Sequence, residues 1–145
     1  VSTTLITLDS NLRGRLTTIN RAIRLLSLTR RSRQNVRFTT AVRAKTHNLY
    51  AQAWSDVWRQ DRSILTCAPS TLCFDVHLEQ PHGALAASAE ALDATVETTL
   101  RAIDARVSSR QAKRAMYVLR RKHSAQRQKF IETLATLPPH SMRCQ

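Results

Sequence analysis

Between positions 85 and 107, Leu85, Ala89, Leu92, Val96, Leu100, Ile103 and Val107 recur at spacings of 4, 3, 4, 4, 3 and 4. That rhythm places all seven along one side of an α-helix, over about 84–107, as an apolar seam of coiled-coil character. The rest of the chain agrees with helix. Only two glycines (Gly14, Gly83) and four prolines occur in 145 residues, so the punctuation of an all-β protein is missing. Aromatic residues make up 5%, while Ala, Leu, Arg and Thr are abundant, which again favours helices.

A first helix is expected over about 10–30, capped by Asp9 or Ser10. Leu12, Leu16, Ile19, Ile23 and Leu26 fall within a stripe roughly 80° wide. Leu25 and Leu28 sit roughly opposite that stripe, so this helix should be gripped from two directions. A second helix, about 35–61, aligns Val42, Leu49, Ala53 and Val57, with Tyr50, Trp54 and Trp58 beside them. The tryptophans, four residues apart, are expected in the core; the alternative is a stacking platform for an unpaired base or a protein-docking surface. Residues 62–83 read as irregular, interrupted by Pro69, Pro81 and Gly83, with a short extended stretch over 72–78. Ser108 and Gln111 match a capping box opening a helix over 109–137, which Pro138-Pro139 stops. Ala112, Met116, Leu119, Phe130 and Leu134 share a face of it with His123. The expected architecture is all-α: one 1–145 domain of two αα-hairpins joined by 62–83, with a patternless tail from 138 to 145. Helices three and four should form an antiparallel pair rather than one rod.

Charge is unevenly placed. Residues 1–45 hold ten Lys/Arg against one acid, and residues 110–145 hold nine against one. Residues 62–109 reverse this, with three basic and six acidic side chains, and the whole chain carries a formal +13. Such imbalance costs self-repulsion in a compact monomer and implies a polyanionic partner, most economically nucleic acid. Arginine outnumbers lysine 19 to 4, which suits bidentate, partly desolvated phosphate contacts. The expected nucleic-acid-binding residues are Arg13, Arg21, Arg24, Arg30, Arg31, Arg33, Arg37, Arg43 and Lys45 at the N-terminal side. At the C-terminal side they are Arg110, Lys113, Arg114, Arg120, Arg121, Lys122, Arg127 and Lys129. Around the last helix they distribute charge on several sides, which fits insertion among RNA segments better than one face laid in a groove. RNP motifs, a Gly-x-x-Gly clamp and a basic-region zipper are all missing.

Other chemistry has less support. Cys67-x5-Cys73-x3-His77 is similar to the end of a CCCH-type zinc finger, with His82 as a further candidate ligand. The first Cys of that family, due near position 58, is Trp58 here, so no metal is expected. Glu90, Asp93, Glu97 and Asp104 form an acidic stripe on the third helix without the histidine partners of a helical di-metal site. The stripe is expected to pair with a basic helix of this chain or of another, with the acidic middle turned toward a protein neighbour. No P-loop, Gly-x-Ser-x-Gly or Gly-x-Gly-x-x-Gly supports catalysis, and neither a cofactor nor a small-molecule substrate is expected. Three cysteines favour a reducing compartment, and no apolar run is long enough to span a membrane.

The function that follows is a non-catalytic structural RNA-binding subunit of a large ribonucleoprotein, an organellar (mitochondrial) ribosome being the leading expectation, with rRNA and neighbouring proteins as partners. The absence of an initiating Met is consistent with a processed mitochondrial protein on the matrix side. The alternative is an accessory scaffold subunit of a membrane-bound respiratory or ATP synthase complex, its basic ends on anionic lipid. A free DNA-binding or chromatin-like protein is the third option.

Overall fold

A computed structural model describes residues 3–29, 32–66 and 83–137. The described residues form four helices, α1 (Thr3–Thr29), α2 (Arg33–Thr66), α3 (Gly83–Arg106) and α4 (Arg110–Leu134). Adjacent helices pack in the order α1, α2, α3, α4 and back to α1; α1 also touches α3 across the middle, while α2 and α4 stay apart among the described residues. The two hairpins therefore close on each other as a four-helix bundle.

Side-chain contacts give the directions. Tyr50 of α2 bonds Asp9 of α1, and the Arg106 guanidinium of α3 lies 4.1 Å from the Phe38 ring of α2, so α2 runs against both neighbours. Asn11 of α1 bonds the backbone of Gln126 in α4, and Arg15 bonds Asp93 of α3, so α4 is antiparallel to α1 while α3 is parallel to it. The topology is up-down-up-down, which puts both short connections, 30–32 and 107–109, at one end.

All seven apolar residues of the 85–107 seam are buried. On α1 the buried line starts earlier than the expected stripe. Leu5, Leu8, Leu12, Arg15, Ile19, Ala22 and Leu26 alternate spacings of 3 and 4, and all are buried. Leu5 and Leu8 extend the seam upstream, so the helix begins at Thr3, and Asp9 lies inside it, buried against Tyr50, rather than capping it. Leu16, assigned to the stripe, is only half-buried, and Arg15 takes the seam position instead. Leu25 packs at the margin of the core, whereas Leu28 is 78% exposed.

Two further expectations are corrected. The cap of α4 is Ser109, whose hydroxyl accepts the Ala112 N–H at 3.1 Å, so the Ser108–Gln111 box does not form. Trp54 is 43% exposed, its ring centroid 6.0 Å from that of half-buried Trp58, because Ala53, Asp56 and Val57 take the inward positions. Ala112, Met116, Leu119, His123 and Phe130 of α4 are buried together as expected. Each fully buried leucine or isoleucine contributes about 1.5–3 kcal/mol relative to exposure, so the shared seam dominates stability.

Candidate nucleic-acid interface

A polar layer crosses the core. Arg15 is fully buried; its Nε donates to Asp93 Oδ1 at 2.5 Å, its Nη2 lies 3.5 Å from Oδ2, and its Nη1 donates to Asn11 Oδ1 and carbonyl. His123 Nε2 lies 3.0 Å from the same Asp93 oxygen. Burial alone would raise the Asp93 carboxyl, but the bonds from His123 and Arg15 outweigh it and hold the group below its ordinary range. Gly14 sits beside this layer where α1 and α4 come close; a Cβ there would lie 2.8 Å from Gln126 Nε2.

This layer divides the bundle into two electrostatic halves. On the side of the two short connections, the described side chains hold fourteen Lys/Arg and two acids, Glu97 and Asp104, a formal net of +12. On the other side they hold four of each sign, a net of zero. The basic stretches near the two ends of the sequence thus converge on one end of the fold. Counted out from the Asn11–Gln126 contact, Arg24 of α1 is level with about Lys113 of α4.

The neutral half uses its charges internally. Asp9 accepts from the Tyr50 hydroxyl at 3.2 Å and lies 3.6 Å from Arg13. Burial, followed by the adjacent Asp9 charge, pushes the Tyr50 phenol up. Asp56 is buried between Ser88, whose hydroxyl donates to it, and Arg59 at 2.8 Å.

The cationic half has charge left over. Glu97 engages Arg101 at 2.9 Å and Arg127 at 3.8 Å, while Asp104 engages Lys113 and Arg120, each at 3.9 Å. The acidic stripe therefore pairs with basic side chains of this same chain, one of the two outcomes expected for it; Glu90 alone of the four is exposed without an ion pair among the described residues. Arg21, Arg24, Arg33, Arg37, Arg43, Lys45, Arg110, Arg114, Arg121 and Lys122 are exposed and have no acidic partner among the described residues. Of the other expected binding residues, Arg13, Arg127 and Lys129 lie on the neutral half, and Arg30 and Arg31 lie outside the described residues.

Sequence reasoning missed Arg101 and Arg106 as members of the cationic half. Their acidic surroundings in sequence hid them, although their place on the last turns of α3 carries them to that end. Among the described residues no His, Cys, Asp or Glu cluster is arranged to hold a metal ion. Cys67, Cys73, His77 and His82 lie outside those residues. No helix there is long and apolar enough to cross a membrane. The sequence matches no family model, and no curated protein or solved structure is detectably similar to it.

Proposed function

We propose that this chain is a non-catalytic structural subunit of a large ribonucleoprotein, an organellar ribosome in the mitochondrial matrix being the favoured setting, where its cationic half packs among rRNA phosphates. The observation that carries this reading is the +12 half, in which ten exposed cations have no acidic partner among the described residues. So many like charges within a few turns of helix, where screening acts over about 8–10 Å, repel one another until phosphates replace water around them. The charges are spread over α1, α2 and α4 rather than on one face, which suits several RNA segments meeting at a blunt end. The neutral half, with exposed Trp54 and Ile6, is left for protein neighbours. Co-sedimentation of the native protein with and without RNase tests this. The protein should travel with a large particle and leave it after RNase; unchanged sedimentation would contradict the proposal.

A second reading has its own observation. Leu28 and Val36 are exposed among the arginines of the cationic end, as in a surface that meets anionic lipid. Under that reading the chain is a scaffold subunit of a membrane-bound energy-converting complex. Flotation with phosphatidylserine vesicles, lost in Leu28→Ser/Val36→Ser, would favour it over RNA.

A further inference from the structure

We infer that the groove between α3 and α4 takes one unpaired nucleotide of the bound RNA, its base against Tyr117 and its phosphate among Arg120, Arg121 and Arg127. This rests on the RNA-binding reading above and adds a built subsite to it. The groove encloses about 390 Å³, within the roughly 300–1,000 Å³ of small-ligand sites, and so admits a nucleotide but not a duplex. Tyr117, Arg120, Arg121 and Arg127 line it, with His123 behind them and Glu97 as its one carboxylate. Three guanidinium groups against one carboxylate give the lining a formal net of +2; Arg127 reaches Glu97 at 3.8 Å and Arg120 reaches Asp104 at 3.9 Å, while Arg121 has no acidic partner among the described residues.

Two details separate this place from the rest of the basic surface. The first is an available aromatic ring. Phe38, the other ring beside an arginine, is covered by Arg106 at 4.1 Å, a close stack that leaves that face occupied. Tyr117 is 59% exposed, and the Arg121 carbon lies over one face of its ring, 5.8 Å from the centroid, a looser contact than that on Phe38. Arg121 also donates to the Tyr117 hydroxyl at 3.1 Å, which positions both groups and leaves the opposite face of the ring to a base. The second detail is a firm support. His123 is held by Asp93 and through it by Arg15, so the groove rests on the buried layer. A second concavity, bordered by Arg121, Arg127 and Ile131, continues along α4 and gives the RNA strand a way out.

The test compares a short RNA hairpin carrying a single bulged nucleotide with the same hairpin fully paired. Binding is measured by fluorescence anisotropy with the full chain, and AMP serves as the free-nucleotide probe. The bulged hairpin should bind about tenfold tighter, an effect within what one stacked base contributes. Tyr117→Ala should erase that preference with less than twofold change for the paired hairpin. Tyr117→Phe should keep most of it, and Arg121→Gln should weaken the bulged hairpin more than the paired one. Far-UV circular dichroism should be unchanged in all three, since these side chains are exposed. Equal affinity of the wild type for both hairpins would overturn the subsite while leaving RNA binding standing. Failure of both hairpins to bind would overturn both readings. AMP binding as tight as that of the bulged hairpin would make the groove a free-nucleotide site and also overturn the inference.

Discussion

Asp93→Asn removes one charge from the most buried ion pair among the described residues while preserving side-chain volume. Arg15 is fully buried, so no water can replace the lost carboxylate, and its other acceptors, both on Asn11, are neutral. The Asn carbonyl can accept from Arg15 Nε or meet His123, but its amide then presents donors to a guanidinium that is itself all donors. An uncompensated buried charge of this kind costs about 3–5 kcal/mol, equivalent to a melting temperature lower by on the order of 10 °C. Urea and thermal unfolding followed by circular dichroism measure it. The triple replacement Arg15→Met/Asp93→Leu/His123→Leu, which removes every charge at once, should return to within about 2 kcal/mol of the wild type. Asp93 also gives the effect a pH signature. Its native carboxyl titrates below the ordinary 3.8, so its contribution is complete above that value and lost as pH falls through the lower native pKa. Asp93→Asn should lack that acid-sensitive component. A variant within about 1 kcal/mol of the wild type, with an unchanged acid limb, would refute the buried-charge account.

Leu92→Asp should cost several kcal/mol because it places an unpaired charge at a fully buried seam position, whereas Glu90→Gln on the exposed flank should cost well under ~1 kcal/mol; chemical denaturation of both variants compares them. Gly14→Ala should stay within about 1 kcal/mol, since the flexible end of Gln126 can yield and alanine favours helix, while Gly14→Leu should destabilise by about 2 kcal/mol or more by forcing α1 from α4. Equal melting temperatures for the two Gly14 variants would contradict close approach at that point.

The apolar rhythm made the helices legible. The 85–107 seam is complete in sequence, and the structure buries all of it. The start of α1 is hidden because Asp9, a residue type that caps helices, lies inside this one, and the middle of its seam is hidden because it contains Arg15, which a hydrophobic pattern treats as an interruption; Leu16 keeps the stripe apolar but turns it by one residue. The partner that makes Arg15 tolerable, Asp93, lies 78 residues away, beyond any local pattern. His123 was placed on the correct face, but its tie to Asp93 likewise needed the fold. α2 was partly opaque because its inward line includes Asn35, Thr39, Thr46 and Asp56, polar residues that local reading assigns to the surface. Charge was legible as two basic stretches and one acidic stretch. Their division into a +12 half and a neutral half was not, since it depends on the up-down-up-down topology setting both short turns at one end.

The claim that this cationic half meets RNA is tested most directly by the salt dependence of RNA binding in two sets of charge variants. Arg33→Gln/Arg37→Gln/Arg110→Gln/Arg114→Gln removes four exposed cations of that half, and Arg13→Gln/Arg59→Gln/Lys129→Gln removes three from the neutral half. Each phosphate contact contributes roughly 0.7–0.9 to the slope of log affinity against log salt. The first set should therefore lower the slope by about 3 and weaken binding at low salt to any structured RNA. The second should leave slope and affinity nearly unchanged. Equal losses from both sets, or a wild-type affinity indifferent to salt between ~50 and ~200 mM, would contradict the account.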